Sequence, residues 1–268
     1  MVPAFPFKSP NTEKKTLSKL PDKGEELALE TLTKFISEIK DVYPPGGKLS
    51  LVSDGRVFCD IYNVTDEVVT EYNKVLKIMR PDLNHLVEFH SLESLLHGHD
   101  NFGTSRDKLI HYYAKSNEAL EKMIKTDDNV KRIYLGFFQF YMEEFYNYME
   151  EDRKALTTKF GLSLTKMRSI AKEKSRLSMK RNEAYSNMVS DLFPLHVRLS
   201  IHAHNNSGPK FAIRLLPTDK VSQSLVSDKN LHIPTPWHNA VVEDLNGKWF
   251  LVKRYRVDRW NMPAIVEE

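Results

Sequence analysis

The chain has 268 residues, of which 41% are hydrophobic, and a formal net charge of +3. This length and apolar content allow a sizeable core and exclude a disordered chain, and the small net charge gives no support for a nucleic-acid partner. Because no run approaches about 18 apolar residues and the amino terminus lacks a signal-peptide pattern, the sequence predicts a cytoplasmic protein with no membrane partner. The single cysteine, Cys59, fits a reducing compartment and is interpreted as a buried thiol rather than a nucleophile.

The first segments along the chain are a proline-rich stretch and an amphipathic helix. MVPAFPFKSPN carries Phe5 and Phe7 between prolines, which predicts an extended arm over residues 1–20. In DKGEELALETLTKFISEIKDVY, Asp22 and Glu25 form a capping-box pair. One apolar stripe of this helix contains Ala28, Leu32, Phe35, Ile36 and Ile39.

Short strands and another helix follow this first helix. The sequence predicts strands at Leu49 to Ser53, in RVFCDIY and in HLVEFHSL, with the helix TDEVVTEYNKVLKIM before the last of them. Together with the arm, these elements predict a single α/β domain over residues 21–268.

The middle of the chain is predicted to be helical. In NVKRIYLGFFQFYMEEFYNYMEED the apolar residues recur at steps of three and four: Ile133, Tyr134, Phe137, Phe138, Tyr141, Phe145 and Tyr148. Aromatic side chains bury the most area per residue, so this stripe is interpreted as core rather than as a cofactor site.

Strands dominate the carboxyl-terminal third. In NAVVEDLNGKWFLVKRY, Asn246-Gly247 joins two strand-like runs and predicts an antiparallel hairpin. Early strands with helical crossovers and a late hairpin predict a mixed α/β sheet flanked by helices.

The strongest site candidate is the strand HVRLSIHAH with its continuation KFAIRL. Alternation places Val197 and Leu199 on one face, and the other face collects polar residues, namely His196, Arg198, Ser200, His202 and His204. After a turn, Lys210 and Arg214 follow on an adjacent strand. His202 and His204 could hold zinc or iron, but no third ligand is marked by spacing, so a catalytic site without metal is favoured.

Two further segments are weaker candidates. In SDGRVFCD, Asp54 and Arg56 follow the end of a strand, where a carboxylate beside an arginine suits an amine or hydroxyl substrate; an ordinary Asp-Gly turn is the alternative. In HIPTPWHNAVV, Trp237 and His238 either line a pocket or pack against the sheet and cap a strand. The sequence has no glycine-rich phosphate loop and no nucleophile elbow.

Five blocks together resemble one family: PAFPFKSPN, LPDKGEELAL, SDGRVFCDI, RLSIHAHNNSGPKFAIRLLP and TPWHNAVVEDLNGKWFLVKR. These blocks occur in the same order as in the isocyanide (isonitrile) synthases, also called the pyoverdine and dityrosine biosynthesis family, and they resemble the corresponding segments of that family. The resemblance implies a Rossmann-like fold and conversion of the α-amine of an amino acid to an isocyanide or N-formyl group, with ribulose 5-phosphate as the carbon donor. It implies no metal or nucleotide cofactor, and a separate downstream oxygenase as a partner.

This chemistry gives the polar residues expected roles. The catalytic candidates are His202, His204, Lys210 and Asp54, and the substrate-binding candidates are Arg56, Arg198, Ser200, Arg214, Trp237 and His238. The imidazoles are expected to transfer protons, the basic residues to hold phosphate or carboxylate, and Asp54 with Arg56 to orient the amino acid. The alternatives are a binding relative without catalytic activity and a metal-dependent hydrolase that uses His202 and His204.

Overall fold

The computed structural model describes residues 4–83, 85–97, 102–146, 153–200, 210–218 and 234–257. The chain separates into two compact units, one formed by residues 1–102 with 193–268 and the other by residues 103–192. The boundaries expected from sequence, an arm over residues 1–20 and one domain over residues 21–268, remain predictions.

The first unit contains most of the strands. Its helices are α1 (Lys23–Val42), α2 (Gly55–Phe58), α3 (Asp66–Met79) and α4 (Leu92–Leu96), and its strands are β1 (Leu49–Val52), β2 (Val87–His90), β3 (Arg198–Ser200), β4 (Lys210–Ala212), β5 (Ala240–Glu243) and β6 (Trp249–Val252). Over the described residues these strands form three separate pairs rather than one continuous sheet. β1 and β2 are parallel, β3 and β4 are parallel, and β5 and β6 are antiparallel. The mixed α/β character and the carboxyl-terminal hairpin are therefore confirmed.

The second unit is helical, as predicted. Its elements are α5 (Phe102–Tyr113, whose first residue belongs to the first unit), α6 (Asn117–Thr126), α7 (Asp128–Tyr146), α8 (Arg153–Phe160) and α9 (Leu164–Leu192). On α7, Tyr134 and Tyr141 are buried, whereas Ile133 is 39% exposed. Tyr148 lies outside the described residues. The aromatic stripe thus belongs mainly to the core, with its buried side shifted towards Phe140 and Tyr146.

The local signals around α1 and the hairpin behave as expected. Asp22 caps α1, and Glu25 completes the capping box by accepting a hydrogen bond from the Asp22 backbone N–H. Ala28, Leu32 and Ile36 are fully buried, while Phe35 retains 38% exposure. In the β5–β6 turn, Gly247 has φ +75°, a conformation that favours glycine.

The segment RVFCDIY begins in α2 and continues as turns, so its prediction as a strand was wrong. Gly55 begins α2, and the Cys59 N–H bonds to the Gly55 carbonyl as a helical turn requires. Val57, Cys59 and Ile61 are buried, so alternate burial imitated a strand pattern. The buried thiol predicted for Cys59 is confirmed.

The core of the first unit joins the arm to the helices and strands. Phe5 and Phe7 of the arm are buried with Leu32 of α1, Leu51 of β1 and Trp237. The Phe5 ring lies 5.1 Å from the Trp237 ring. The arm is therefore part of the core.

Among the described helices, none is long and apolar enough to cross a bilayer.

Gly55 should be intolerant of a side chain because the arm lies directly on it. A Cβ at this position would overlap the Pro6 carbonyl oxygen and lie 2.9 Å from Val69 Cγ1, whereas a Cβ at Gly47 would meet its nearest atom at 3.6 Å. We expect Gly55→Ala to lower the free energy of unfolding by about 1–3 kcal/mol, measured by urea denaturation. Gly47→Ala should leave stability unchanged or slightly raise it. Equal effects of the two substitutions would contradict the close approach of Pro6.

Candidate functional site

Asp54 lies immediately after the end of β1, beside the end of the parallel strand β2. The ladder continues to Ser53, whose N–H donates to the His90 carbonyl at 2.8 Å. The Asp54 residue keeps partial exposure, but its Oδ1 atom is sealed from solvent and has no hydrogen-bond partner among the described residues. A buried carboxylate oxygen without a partner is costly, which points to a group that is neutral or that meets a ligand.

The environment of Asp54 changes its protonation. Burial raises the pKa of Asp54 from 3.8 to about 7, against a smaller lowering by its own backbone N–H. A carboxyl group with a pKa near neutrality can both accept and donate a proton under cellular conditions. Asp54 therefore has the properties of a general acid or base.

A buried ionic cluster, formed by Lys8, Asp22, Glu25 and Tyr72, lies near this carboxyl group. Lys8 Nζ is 2.9 Å from Asp22 Oδ2 and 2.9 Å from Glu25 Oε2. The Tyr72 hydroxyl donates to Glu25 Oε1 at 3.3 Å. Burial raises the pKa of Tyr72 well above its ordinary value, with further contributions from the charges of Glu25, Asp22 and Asp54. Tyr72 thus lies within the field of both Glu25 and Asp54.

Arg56 has internal partners for all parts of its guanidinium group. Its Nε donates to Glu93, its Nη1 donates to the Asp66 side chain at 3.1 Å, and its Nη2 donates to Thr70 Oγ1 at 2.5 Å. The Phe102 ring covers the guanidinium at 3.7 Å. These contacts favour a role in fixing α2, and the substrate contact expected for Arg56 from sequence stays a prediction.

Two histidines lie at the β1–β2 pair, since His90 is the last residue of β2 and His196 lies beside Ser50 of β1. Phe193 contacts both rings, His90 at 5.2 Å and His196 at 5.1 Å between centroids. His196 Nε2 is 3.5 Å from Ser50 Oγ, and partial burial lowers the pKa of His196, with a smaller contribution from His90. The lowered pKa of His196 favours the neutral form of this imidazole beside β1.

The predicted polar strand is present in part. Arg198 pairs with Lys210 and Ser200 pairs with Ala212 in the β3–β4 register. Arg214 follows β4 and is exposed. His202 and His204 lie outside the described residues, so their roles stay predictions. The structure brings Arg198 and Lys210 to adjacent backbone positions.

The opposite, apolar side of the β3–β4 pair contributes to a groove. Leu199 of β3, the preceding Val197 and Phe211 of β4 line an open groove of about 850 Å³, together with Phe35 of α1. The alternation predicted for β3 agrees with this lining, because Arg198 and Ser200 occupy the intervening positions.

Trp237 and His238 belong to a 3-10 helix at Pro236–His238. Trp237 is 1% exposed, its ring packs against Phe5, and its carbonyl accepts the Ser9 N–H at 2.7 Å. Of the two interpretations of Trp237 made from sequence, this burial favours packing. A substrate contact by either residue stays a prediction.

Sequence reasoning did not identify Lys8, Glu25, Tyr72 or His90 as functional candidates, and it placed His196 on the polar face of the candidate strand without giving it a role. Glu25 was interpreted only as a helix cap, and Lys8 only as part of an extended arm. The sequence feature that could have indicated a buried Lys8 is its position next to Phe7, in a segment that packs by its aromatic rings. Over the described residues, no group of three or more His, Cys, Asp and Glu side chains could hold a metal ion.

The sequence matches the family described as "Pyoverdine/dityrosine biosynthesis protein" over residues 1–265. The chain belongs to this family. The resemblance seen in the five sequence blocks is therefore confirmed.

Several family members are similar over most of the chain. It is 36% identical to "Spore wall maturation protein DIT1" of Saccharomyces cerevisiae, over 94% of this chain and 53% of the yeast protein. It is 33% identical to "L-tryptophan isonitrile synthase AmbI2" of Fischerella ambigua, over 95% of this chain and 70% of that protein. The chain thus spans about half the length of the yeast relative and more than two thirds of the cyanobacterial one.

A solved structure of the family has the same fold. The crystal structure of PvcA from Pseudomonas aeruginosa matches with a TM-score of 0.78 at 29% identity, covering 96% of this chain and 77% of that chain. An "L-tyrosine isonitrile synthase" of Xenorhabdus nematophila is 31% identical, over 94% of this chain and 70% of that protein. Two of these relatives, from Fischerella ambigua and Xenorhabdus nematophila, are thus named as isonitrile synthases.

The titration of Asp54 should be visible in the pH dependence of stability. Its pKa is about 7 in the folded chain and near 3.8 when unfolded, so the folded chain holds an extra proton between these values and stability falls as pH rises from about 4 to about 7. Asp54→Asn removes this contribution while that of Glu25 remains. We expect the loss of unfolding free energy between pH 5 and pH 8, measured by urea denaturation, to shrink by roughly 1–3 kcal/mol. The exposed Asp41→Asn variant is the control, and an unchanged loss in Asp54→Asn would show that Asp54 titrates normally.

Proposed function

We propose that the chain is an isonitrile synthase that converts the α-amine of an amino acid to an isocyanide or N-formyl group, with ribulose 5-phosphate as the carbon donor. The observation that carries the proposal is the family match over residues 1–265. Relatives named as L-tryptophan and L-tyrosine isonitrile synthases, each covered to 70% of its length, support this reaction type.

The reaction requires several proton transfers near neutral pH. The substrate amine must lose a proton before it attacks the sugar ketone, the carbinolamine must lose water, and enolisation and carbon–carbon cleavage follow. Asp54 suits the first of these steps because burial raises its pKa to about 7. In the proposal, Asp54 accepts the ammonium proton, and His202 and His204 transfer protons in later steps.

The two substrates also carry anionic groups that need fixed cations. A sugar phosphate is doubly charged near neutrality, and the amino acid has a carboxylate. Arg198 and Lys210 occupy paired positions in the β3–β4 register, and Arg214 lies two residues beyond the end of β4. Two cationic residues on this small sheet, with a third just beyond it, support the binding of phosphate or carboxylate there.

The finer expectations from sequence form part of the same proposal. The parallel β1–β2 pair with a polar group at its carboxyl end is compatible with a Rossmann-like organisation. We propose that the protein acts in the cytoplasm in secondary metabolism, without a metal or nucleotide cofactor, and that a separate oxygenase acts on the product.

An assay with mixed substrates tests the proposal and identifies the amino acid. The purified protein is incubated with ribulose 5-phosphate and the twenty amino acids, and the products are examined by mass spectrometry. We expect one amino acid to gain a carbon and lose two hydrogens, the mass change of isocyanide formation. A gain of one carbon and one oxygen would instead indicate N-formylation.

The matched controls for this assay are carboxyl-to-amide variants. Asp54→Asn should reduce kcat by about 10²–10⁴-fold, the usual contribution of a general acid or base, and the exposed Asp41→Asn should keep the wild-type rate. If the wild-type chain consumes neither substrate but binds them, the relative without catalytic activity is the correct alternative. If no product forms and metal analysis finds zinc or iron in the purified protein, the metal-dependent hydrolase is favoured.

A further inference from the structure

Lys8 is the most completely enclosed charged side chain of the arm. Its side chain has no exposed surface, and its Nζ lies 2.9 Å from each of three oxygens: Asp22 Oδ2, Glu25 Oε2 and the Pro236 carbonyl. The Pro236 carbonyl accepts a hydrogen bond from the ammonium group, and the two carboxylates pair with its charge. These acceptors come from the start of α1 and from the 3-10 helix at Pro236–His238, two segments far apart in sequence.

The acceptors form an ionic environment that depends on Lys8. Glu25 has no exposed side-chain surface, whereas Asp22 keeps 24%. Burial raises the pKa of Glu25 to about 7, while the charge of Lys8 acts in the opposite direction. Removal of the ammonium group would therefore leave a buried carboxyl without its cation.

Lys8 connects the arm to the surroundings of Asp54. Two residues earlier, the Pro6 carbonyl lies so close to Gly55, the residue after Asp54, that no side chain fits between them. One residue later, the Ser9 N–H bonds to the Trp237 carbonyl at 2.7 Å. The position of Lys8 thus determines where the arm lies over the start of α2.

We propose that Lys8 is a positioning residue of the synthase site: its ion pairs hold the arm on Gly55, and the arm limits the access of water to Asp54. This inference rests on the proposed function, in which Asp54 accepts the substrate proton. Lys8 acts through Asp54 and is not itself expected to contact the substrate.

The pH dependence that follows is set by the groups around Asp54. The charge of Asp54 acts on Tyr72 of α3, whose hydroxyl donates to Glu25. Arg56 of α2 is directed to Glu93 and Asp66, and His90 of β2 is directed to Glu88 at 3.7 Å. Lys8, Asp22 and Glu25 interact with one another beyond Tyr72. Release of the arm would hydrate Asp54 and return its pKa towards 3.8.

The test compares pH–rate profiles of wild type, Lys8→Met and Lys23→Met with the amino acid identified by the assay and ribulose 5-phosphate. Lys23 is the matched control, since it lies on α1 with 41% exposure and pairs with Glu26 at the surface. In Lys8→Met we expect kcat to fall by about tenfold or more and the acidic midpoint of kcat/KM to move down by about one pH unit or more. Lys23→Met should keep both values.

A reduced rate with an unchanged acidic midpoint would overturn the proposal, because a purely structural role lowers activity without altering the protonation of Asp54. If Lys8→Met does not fold, Asp22→Asn provides the second variant. It removes one charge from the partly exposed side of the cluster and keeps a good helix cap. A smaller downward movement of the midpoint supports the proposal, and a wild-type profile contradicts it.

Failure of the proposed function would be recognised separately, since the wild-type chain would then form no product. In that case the role of Lys8 is measured through unfolding. Asp54→Asn removes one part of the pH dependence of stability. We expect Lys8→Met to lack the same part, and Asp22→Asn to show it with a smaller magnitude than the wild-type chain. Full retention of this part would overturn the inference.

Discussion

The interaction on which the first unit depends is the contact of the Lys8 ammonium with Asp22, Glu25 and the Pro236 carbonyl. A buried ion pair contributes little net stability over an apolar alternative, but loss of one partner costs about 3–5 kcal/mol. The main effect of the Lys8 ion pairs is therefore to select one position of the arm. Apolar contacts such as those of Phe5 and Phe7 are non-directional, whereas the Lys8 hydrogen bond to the Pro236 carbonyl and its two ion pairs favour one position of the arm. The arm, the start of α1 and the turn at Trp237 are thereby joined.

This arrangement relates the fold to the proposed chemistry. Asp54 follows β1 at the carboxyl end of a parallel strand pair, where loops and helix starts meet. The arm reaches the neighbouring Gly55 through Pro6, and burial raises the pKa of Asp54 to about 7. In our proposal the arm contributes to this burial by limiting hydration. A base of this strength is matched to an amino-acid ammonium group better than an ordinary carboxylate, because proton transfer is most efficient when the pKa of the base is near the working pH. In the proposed function, the cations of β3 and β4 supply the positive charge that binds phosphate or carboxylate.

The elements that depend on residues close in sequence were predicted, whereas the features that depend on long-range contacts were not. The capping box of α1, the β1 and β2 strands and the β5–β6 hairpin each depend on residues close in sequence, and each was predicted correctly. The strand prediction for RVFCDIY was wrong because the alternate burial of Val57, Cys59 and Ile61 imitates a strand. The contact of Gly55 with Pro6 accompanies the helical turn, but it joins residues far apart in sequence and cannot be predicted from local patterns. The role of Lys8 was missed for the same reason, since its carbonyl acceptor is 228 residues away. Asp54 was a candidate from its position at a strand end, but its protonation depends on enclosure by the folded chain.

The most direct test of this account is the titration of the Asp54 carboxyl group itself. Its ¹³C resonance can be assigned by comparison with Asp54→Asn and followed by NMR as a function of pH in the wild-type chain. The account predicts a midpoint near 7, as burial raises the pKa of this group. A midpoint near the ordinary value of 3.8 would mean that water reaches Asp54 freely, and it would contradict both the proton-accepting role of Asp54 and the enclosure of this group by the arm.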